Sequence, residues 1–165
     1  LAAGWAGSYS ASVNNLDAAI SCTVILGTDI EPQPDVLLFT TGRQASVTPD
    51  DYIAGAPDFV CEISNSTESI DLNAKKLDYE KYGVREYMVV AVRASRVFWF
   101  VRGTDGKFVQ LPPDADGILR STIYPGLWLD PAALLAGDIA RVLAVVNQGI
   151  ASPEHAAFVA GLGTR

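Results

Sequence analysis

Residues 57–87 read PDFVCEISNSTESIDLNAKKLDYEKYGVREY, a strand, a short polar turn, a helix, a turn and a second strand. Phe59, Cys61 and Ile63 alternate with Asp58, Val60, Glu62 and Ser64. A strand here sends its bulky apolar side chains one way and mostly polar ones the other, with Glu62 on the less apolar face. Ser66 or Thr67 can cap the following helix, Glu68 and Asp71 suit its first turn, and Gly83 suits its left-handed end. Lys75 stands one turn after Asp71 and one before Tyr79, so all three share a stripe. Lys76 lies about 100° further round the axis. A strand carboxylate followed at helix distance by a lysine is what a metal-dependent phosphodiester hydrolase would use.

Upstream of this unit, residues 19–26 (AISCTVIL) and 35–39 are dense in strand formers. The first fifteen residues, LAAGWAGSYSASVNN, are rich in small residues and predict only a weak strand over 9–13. Turn residues dominate 40–56, which reads as a long surface loop. Downstream, 86–92 (EYMVVAV) reads as a buried strand. Residues 96–102 and 107–111 form a hairpin about the GTDG connection. Pro131 suits a first helical turn, and Leu134, Leu135, Ile139, Val142, Leu143 and Val146 recur at helical spacing. A last short helix starts near Ser152. The expected fold class is α/β (α+β), a mixed β-sheet flanked by helices. We expect one domain over residues 1–165, its C-terminal helices beginning near 131 and the helix over 70–82 packed on one sheet face.

Composition narrows the function classes. With 49% hydrophobic residues in a chain of 165, a folded core is expected rather than disorder. No apolar run reaches the roughly 18 residues of a membrane span, and the start lacks the basic and apolar regions of a secretory leader. Cys22 and Cys61 sit in apolar surroundings and read as free core thiols in a reducing, cytoplasmic setting. The formal net charge is −7, unfavourable for nucleic-acid binding. Within residues 75–107, however, Lys75, Lys76, Lys81, Arg85, Arg93, Arg96, Arg102 and Lys107 outnumber Asp78, Glu80, Glu86 and Asp105. That asymmetry means either one basic face or charges simply spread over solvated surface. A single histidine, His155, excludes a His-rich zinc site and makes a histidine triad a poor fit. No glycine-rich phosphate loop is present, so neither ATP nor NAD is expected.

Several segments together carry a resemblance: PQPD ending at Asp35, GAPDFVCEIS, the spacing Asp71, Lys75, Tyr79, Gly83-Val84, then EYMVV, DADGILRSTIYPGLWLD and ASPEHAAF. This ordered set resembles the Uma-two family of restriction-endonuclease-like proteins, a branch of the PD-(D/E)xK nuclease superfamily. The resemblance implies a restriction-endonuclease-like core in which a mixed sheet carries two acidic metal ligands and a lysine. By position, Asp35 and Glu62 are those ligands for Mg²⁺ or Mn²⁺, with the Ile63 backbone carbonyl as a third. The usual lysine two residues after the glutamate is absent. Ser64 stands there, and the family resemblance points instead to Lys75, with Asp35, Glu62 and Lys75 as the catalytic set. Asp58, Ser64, Asp71 and Tyr79 are its expected supports. Many such nucleases also have a helix with an acidic residue before the sheet, for which residues 1–18 offer no convincing counterpart.

The implied function is a Mg-dependent endodeoxyribonuclease acting on DNA, a homodimer by analogy with duplex cleavage requiring two cuts. The alternative is a nuclease-fold module that binds or assembles without catalysis, which the negative charge and the missing lysine would allow. Simpler roles exist for the residues themselves. Lys75 could pair only with Asp71, worth about 0.2–0.5 kcal/mol on a surface helix, and Asp35 could be a polar residue entering a strand after proline. Glu62, flanked by Val60, Cys61 and Ile63, is harder to place in a core without a partner.

Overall fold

The computed structural model describes residues 1–162. Strand β6 is Phe59–Ser64 and lies inside a six-stranded sheet of order β1-β3-β6-β7-β8-β9, with β1 Leu16–Ile20, β3 Val36–Thr40, β7 Glu86–Ala91, β8 Arg96–Arg102 and β9 Phe108–Gln110. Within this sheet only β6 and β7 run parallel; the other neighbours are antiparallel. That single parallel pair requires a crossover. The crossover is one helical stretch made of Glu68–Ile70, a π-helical turn Asp71–Lys75 and Lys76–Tyr82, ended by Gly83 in the left-handed region at φ 94°. We call it the central helix.

Both faces of the sheet are covered. On one, Val36, Leu38, Phe59, Cys61, Met88 and Trp99 pack under an N-terminal helix, Ala2–Ser10, and the C-terminal helices. On the other, Leu37, Phe39, Val60, Tyr87 and Val89 pack with Tyr79 of the central helix. The expectation that β6 shows a polar face is therefore corrected. Asp58, Glu62 and Ser64 are buried, whereas Ile63 near the strand end is 42% exposed.

The structure departs from the sequence reading in four other places. The strand expected over 9–13 is replaced by the helix Ala2–Ser10, which is the helix before the sheet that residues 1–18 were not expected to supply, although it carries no acidic residue. Its buried stripe is Ala2, Trp5, Ala6 and Tyr9, and the small residues that weaken its periodic signal let Trp5 reach Phe59 and Trp99 edge-on, at centroid distances of 5.8 Å each. The strand expected over 19–26 is split. Ser21 adopts φ 48°, the chain turns, and β2 (Val24–Ile25) leaves the large sheet to pair with β5 (Ile53–Ala54), which pairs in turn with β4 (Ser46–Val47). The stretch read as a loop, 40–56, thus supplies two short strands, held because Val24 and Ile53 are buried against the second face. Finally, the long C-terminal helix breaks at Gly137, φ 75°, into Pro131–Ala136 and Ile139–Ile150, with Asp130 and Asp138 capping the two starts through Ala133 N–H and Arg141 N–H. The last helix is Pro153–Leu162.

Candidate functional site

The C-terminal end of β6 brings together four of the residues singled out in the sequence. Glu62 is only 4% exposed. Its Oε1 accepts a hydrogen bond from the Tyr79 hydroxyl at 2.9 Å, and its Oε2 lies 3.1 Å from the Lys75 ammonium. The same ammonium is 3.0 Å from Asp71 Oδ1, so Lys75 bridges two buried carboxylates. Asp71, 1% exposed, accepts the Thr67 hydroxyl on Oδ2 at 2.6 Å. Thr67 and Ser64 hydroxyls lie 3.3 Å apart. Thr67 stands at the start of the helix but its side chain makes no capping bond to the backbone. Its hydroxyl is spent on Asp71 instead.

A π-helical turn spans Asp71–Lys75, and Lys75, four residues after Asp71, pairs with it on the sheet-facing side, while Lys76 rests 4.1 Å over the Phe100 ring. The Tyr87 hydroxyl donates to the Asp71 carbonyl at 2.9 Å, a tie at the first residue of the widened turn. Tyr87 is thus a support at no spacing that points to the site, whereas Thr67 lies four residues before Asp71, on the stripe of Lys75 and Tyr79, and the sequence reading makes it only a helix cap.

Asp35 approaches from the neighbouring strand. The antiparallel register pairs Val36 with Cys61, so one further step sets Asp35 opposite Glu62, on the same sheet face. Asp35 Oδ2 accepts the Ile63 N–H at 2.6 Å. The Ile63 carbonyl leaves the strand on the same edge as its N–H, which directs it to the Asp35 side. Asp58 is not part of this constellation. It lies beyond the opposite end of β6, where Oδ2 accepts the Thr40 N–H and the Tyr124 hydroxyl, each at 2.9 Å, and Oδ1 faces Arg85 at 3.5 Å and Arg43 at 3.7 Å. Four residues of strand, about 13 Å, separate it from Glu62.

Electrostatics follow from burial. Burial pushes the Glu62 carboxyl above the usual range, opposed by the Lys75 charge and the Tyr79 hydrogen bond. For Lys75, burial acts to lower the ammonium, but hydrogen bonding to Asp71 and the Glu62 charge overcome it and leave it raised. Lys75 is therefore a permanent cation near neutral pH. Burial, then the Glu62 charge, pushes the Tyr79 hydroxyl far up, so it acts only as a donor.

Asp35, Glu62 and the Ile63 carbonyl offer only oxygen donors, the chemistry that Mg²⁺ or Mn²⁺ favours. Among the described residues no cluster of three or more His, Cys, Asp or Glu side chains could hold a metal. A cation here would rest on two carboxylates and a carbonyl, a sparse set that matches the habit of Mg²⁺ rather than of Zn²⁺.

A family model, Uma2, described as "Putative restriction endonuclease", matches residues 7–132. Among solved structures, this chain is similar in fold to "a putative nuclease belonging to DUF820" from Anabaena variabilis ATCC 29413. The two are 15% identical, with a TM-score of 0.54 over 88% of this chain and 77% of that one. No curated protein matches the chain.

Proposed function

Since the chain belongs to the Uma2 family, we propose that it is a metal-dependent endonuclease that hydrolyses phosphodiester bonds of DNA at the end of β6. The observation that carries this reading is the Lys75 ammonium 3.1 Å from Glu62 Oε2, beside the position where Ser64 leaves no lysine. Asp35, Glu62 and the Ile63 carbonyl would hold Mg²⁺ or Mn²⁺, which when bound would acidify a water and neutralise phosphate charge. Glu62 presents a carboxylate held in one orientation by Tyr79 and Lys75. Lys75, anchored by Asp71, offers its remaining N–H to the attacking water or to charge developing on the phosphoryl oxygens. The Phe39, Val60, Tyr79 and Val89 side chains behind the pair keep its far side dry, which strengthens these interactions.

A non-catalytic binding module draws on one observation, that both Glu62 oxygens already have partners. Supercoiled plasmid incubated with the protein in Mg²⁺ or Mn²⁺ separates the readings. Nicking that disappears in Glu62→Gln supports the endonuclease, and no nicking in either metal, with no heat of metal binding by calorimetry, refutes it.

A further inference from the structure

We infer that the β7–β8 turn and the helix-facing side of β8 grip the phosphodiester backbone of the DNA strand beside the Glu62–Lys75 pair, through Arg93, Arg96 and Lys76. The inference rests on the endonuclease reading and supplies its substrate-binding surface.

Register places these groups. Glu62 pairs with Val89 and Val89 with Phe98, while Ser64 pairs with Ala91 and Ala91 with Arg96. Directly opposed residues share a face, so Arg96 and Phe98 lie on the same side as Glu62, two strand spacings or about 10 Å across. The turn between β7 and β8 closes beside the end of β6, since Val92 N–H donates to the Ser64 carbonyl at 2.9 Å. Arg93 is exposed in that turn.

Charge pairing separates these cations from the rest. Arg43 and Arg85 face Asp58, Lys107 faces Glu80, Arg120 faces Asp114 and Arg141 faces Asp130. Among the described residues, Arg93 and Arg96 meet no carboxylate, and Arg102 donates to the Glu80 carbonyl, whereas Lys76 makes no ion pair but lies close enough to Glu80, four residues along its helix, for its charge to act on that carboxylate. Ring contacts hold two of them in place: the Arg96 guanidinium lies 4.8 Å over Phe98 and the Lys76 ammonium 4.1 Å over Phe100. A cation seated on an aromatic face keeps its outward N–H groups free for phosphate oxygens at reduced entropic cost. In a chain of net charge −7, cations left unneutralised on the face of the candidate site fit a polyanion, and the 10 Å spacing fits a strand passing from Glu62 to its next phosphates.

The test is fluorescence anisotropy of a labelled 20-base-pair duplex with metal-free protein, titrated at several salt concentrations. Arg93→Ala combined with Arg96→Ala should weaken binding roughly tenfold at 0.1 M salt and flatten the plot of log K against log salt by about two, one for each contact. Arg141→Ala, on a helix packed over the opposite sheet face, should change neither. Unchanged affinity and slope in the double variant overturn the inference, as does an equal loss from Arg141→Ala. If the wild type nicks plasmid while the double variant binds like its parent, the grip fails and the endonuclease stands. If the double variant loses binding and the wild type nicks in no metal, the grip stands and the endonuclease falls.

Discussion

At the scale of single residues, the bridge from Glu62 through Lys75 to Asp71 is both the centre of the proposed chemistry and a structural liability. Lys75→Met keeps most of the stem volume but leaves two buried carboxylates facing each other without a cation. Breaking a fully buried pair costs about 3–5 kcal/mol. The Lys75 side chain is 35% exposed, so solvent screens part of the loss and about 1–3 kcal/mol is expected in urea denaturation. Nicking should fall by on the order of 100-fold or more, the cost of removing one group aimed at developing charge. Full nicking by the Met variant would remove Lys75 from the mechanism. Tyr79→Phe tests the same carboxylate by pH. The hydroxyl's bond favours the ionised form, so its loss raises the Glu62 carboxyl beyond the elevation that burial already imposes. A cation-holding Glu62 must be ionised, and the acid limb of the nicking profile should therefore move to higher pH in the Phe variant. A limb that stays in place means that Tyr79 does not set it.

At the scale of elements, Glu86 ties the sheet to the segment that follows it. It is fully buried at the start of β7, and its oxygens accept Trp99 Nε1–H, the Ser121 and Thr122 hydroxyls and the Thr122 N–H, at 2.7–3.1 Å. Burial pushes its carboxyl up despite these four donors. A raised carboxyl binds its proton more readily in the folded than in the unfolded chain, so its contribution to stability is greatest at low pH. It is lost as pH climbs from the unfolded value through the folded one. Glu86→Gln sets an amide NH₂ against N–H donors that cannot rotate away. It should cost about 1–3 kcal/mol at neutral pH, and its stability should vary less steeply with pH across that window. An equal slope in both proteins would assign the pH dependence elsewhere. These elements differ in how plainly the sequence announces them. β6 and β8 match their expected limits because β-branched and aromatic residues run up to clear breaks. The helix Ala2–Ser10 does not, since its buried stripe rests on Trp5 and Tyr9 among alanines and glycines, and only tertiary contact makes it worth forming. Counting along the central helix brings Asp71, Lys75 and Tyr79 together and sets Lys76 aside, and Lys75 is the lysine that reaches Glu62. Asp58, four residues from Glu62, looked like a neighbour in sequence but belongs to the other end of a stretched strand.

At the scale of the whole molecule, the sheet separates the larger apolar cluster from the face of the proposed site. The large apolar cluster lies on the face away from Lys75 and stitches the two ends of the chain together. Trp5 donates its indole N–H to the Trp128 carbonyl at 2.8 Å, and the Tyr9 hydroxyl and His155 Nδ1 both reach the Pro125 carbonyl. Gly149 and Gly126 pass so close that a Cβ on Gly149 would stand 2.0 Å from the Gly126 oxygen, fixing the helix Ile139–Ile150 against the turn before β11 (Trp128–Leu129). Trp5→Ala removes a fully buried ring that touches Phe59 and Trp99, a loss of about 3–5 kcal/mol. For a chain of this length that lowers Tm by about 10 °C. No atom of Trp5 meets the Glu62 face, so below the transition the nicking rate per folded molecule should equal that of the wild type, whereas Lys75→Met loses activity while still largely folded. Comparing calorimetric Tm with plasmid nicking at 20 °C for the two variants checks the division. If Trp5→Ala reduced nicking in proportion to Lys75→Met while remaining folded, the two faces would be coupled through β6, and the site would depend on the packing beneath it as much as on its own hydrogen bonds.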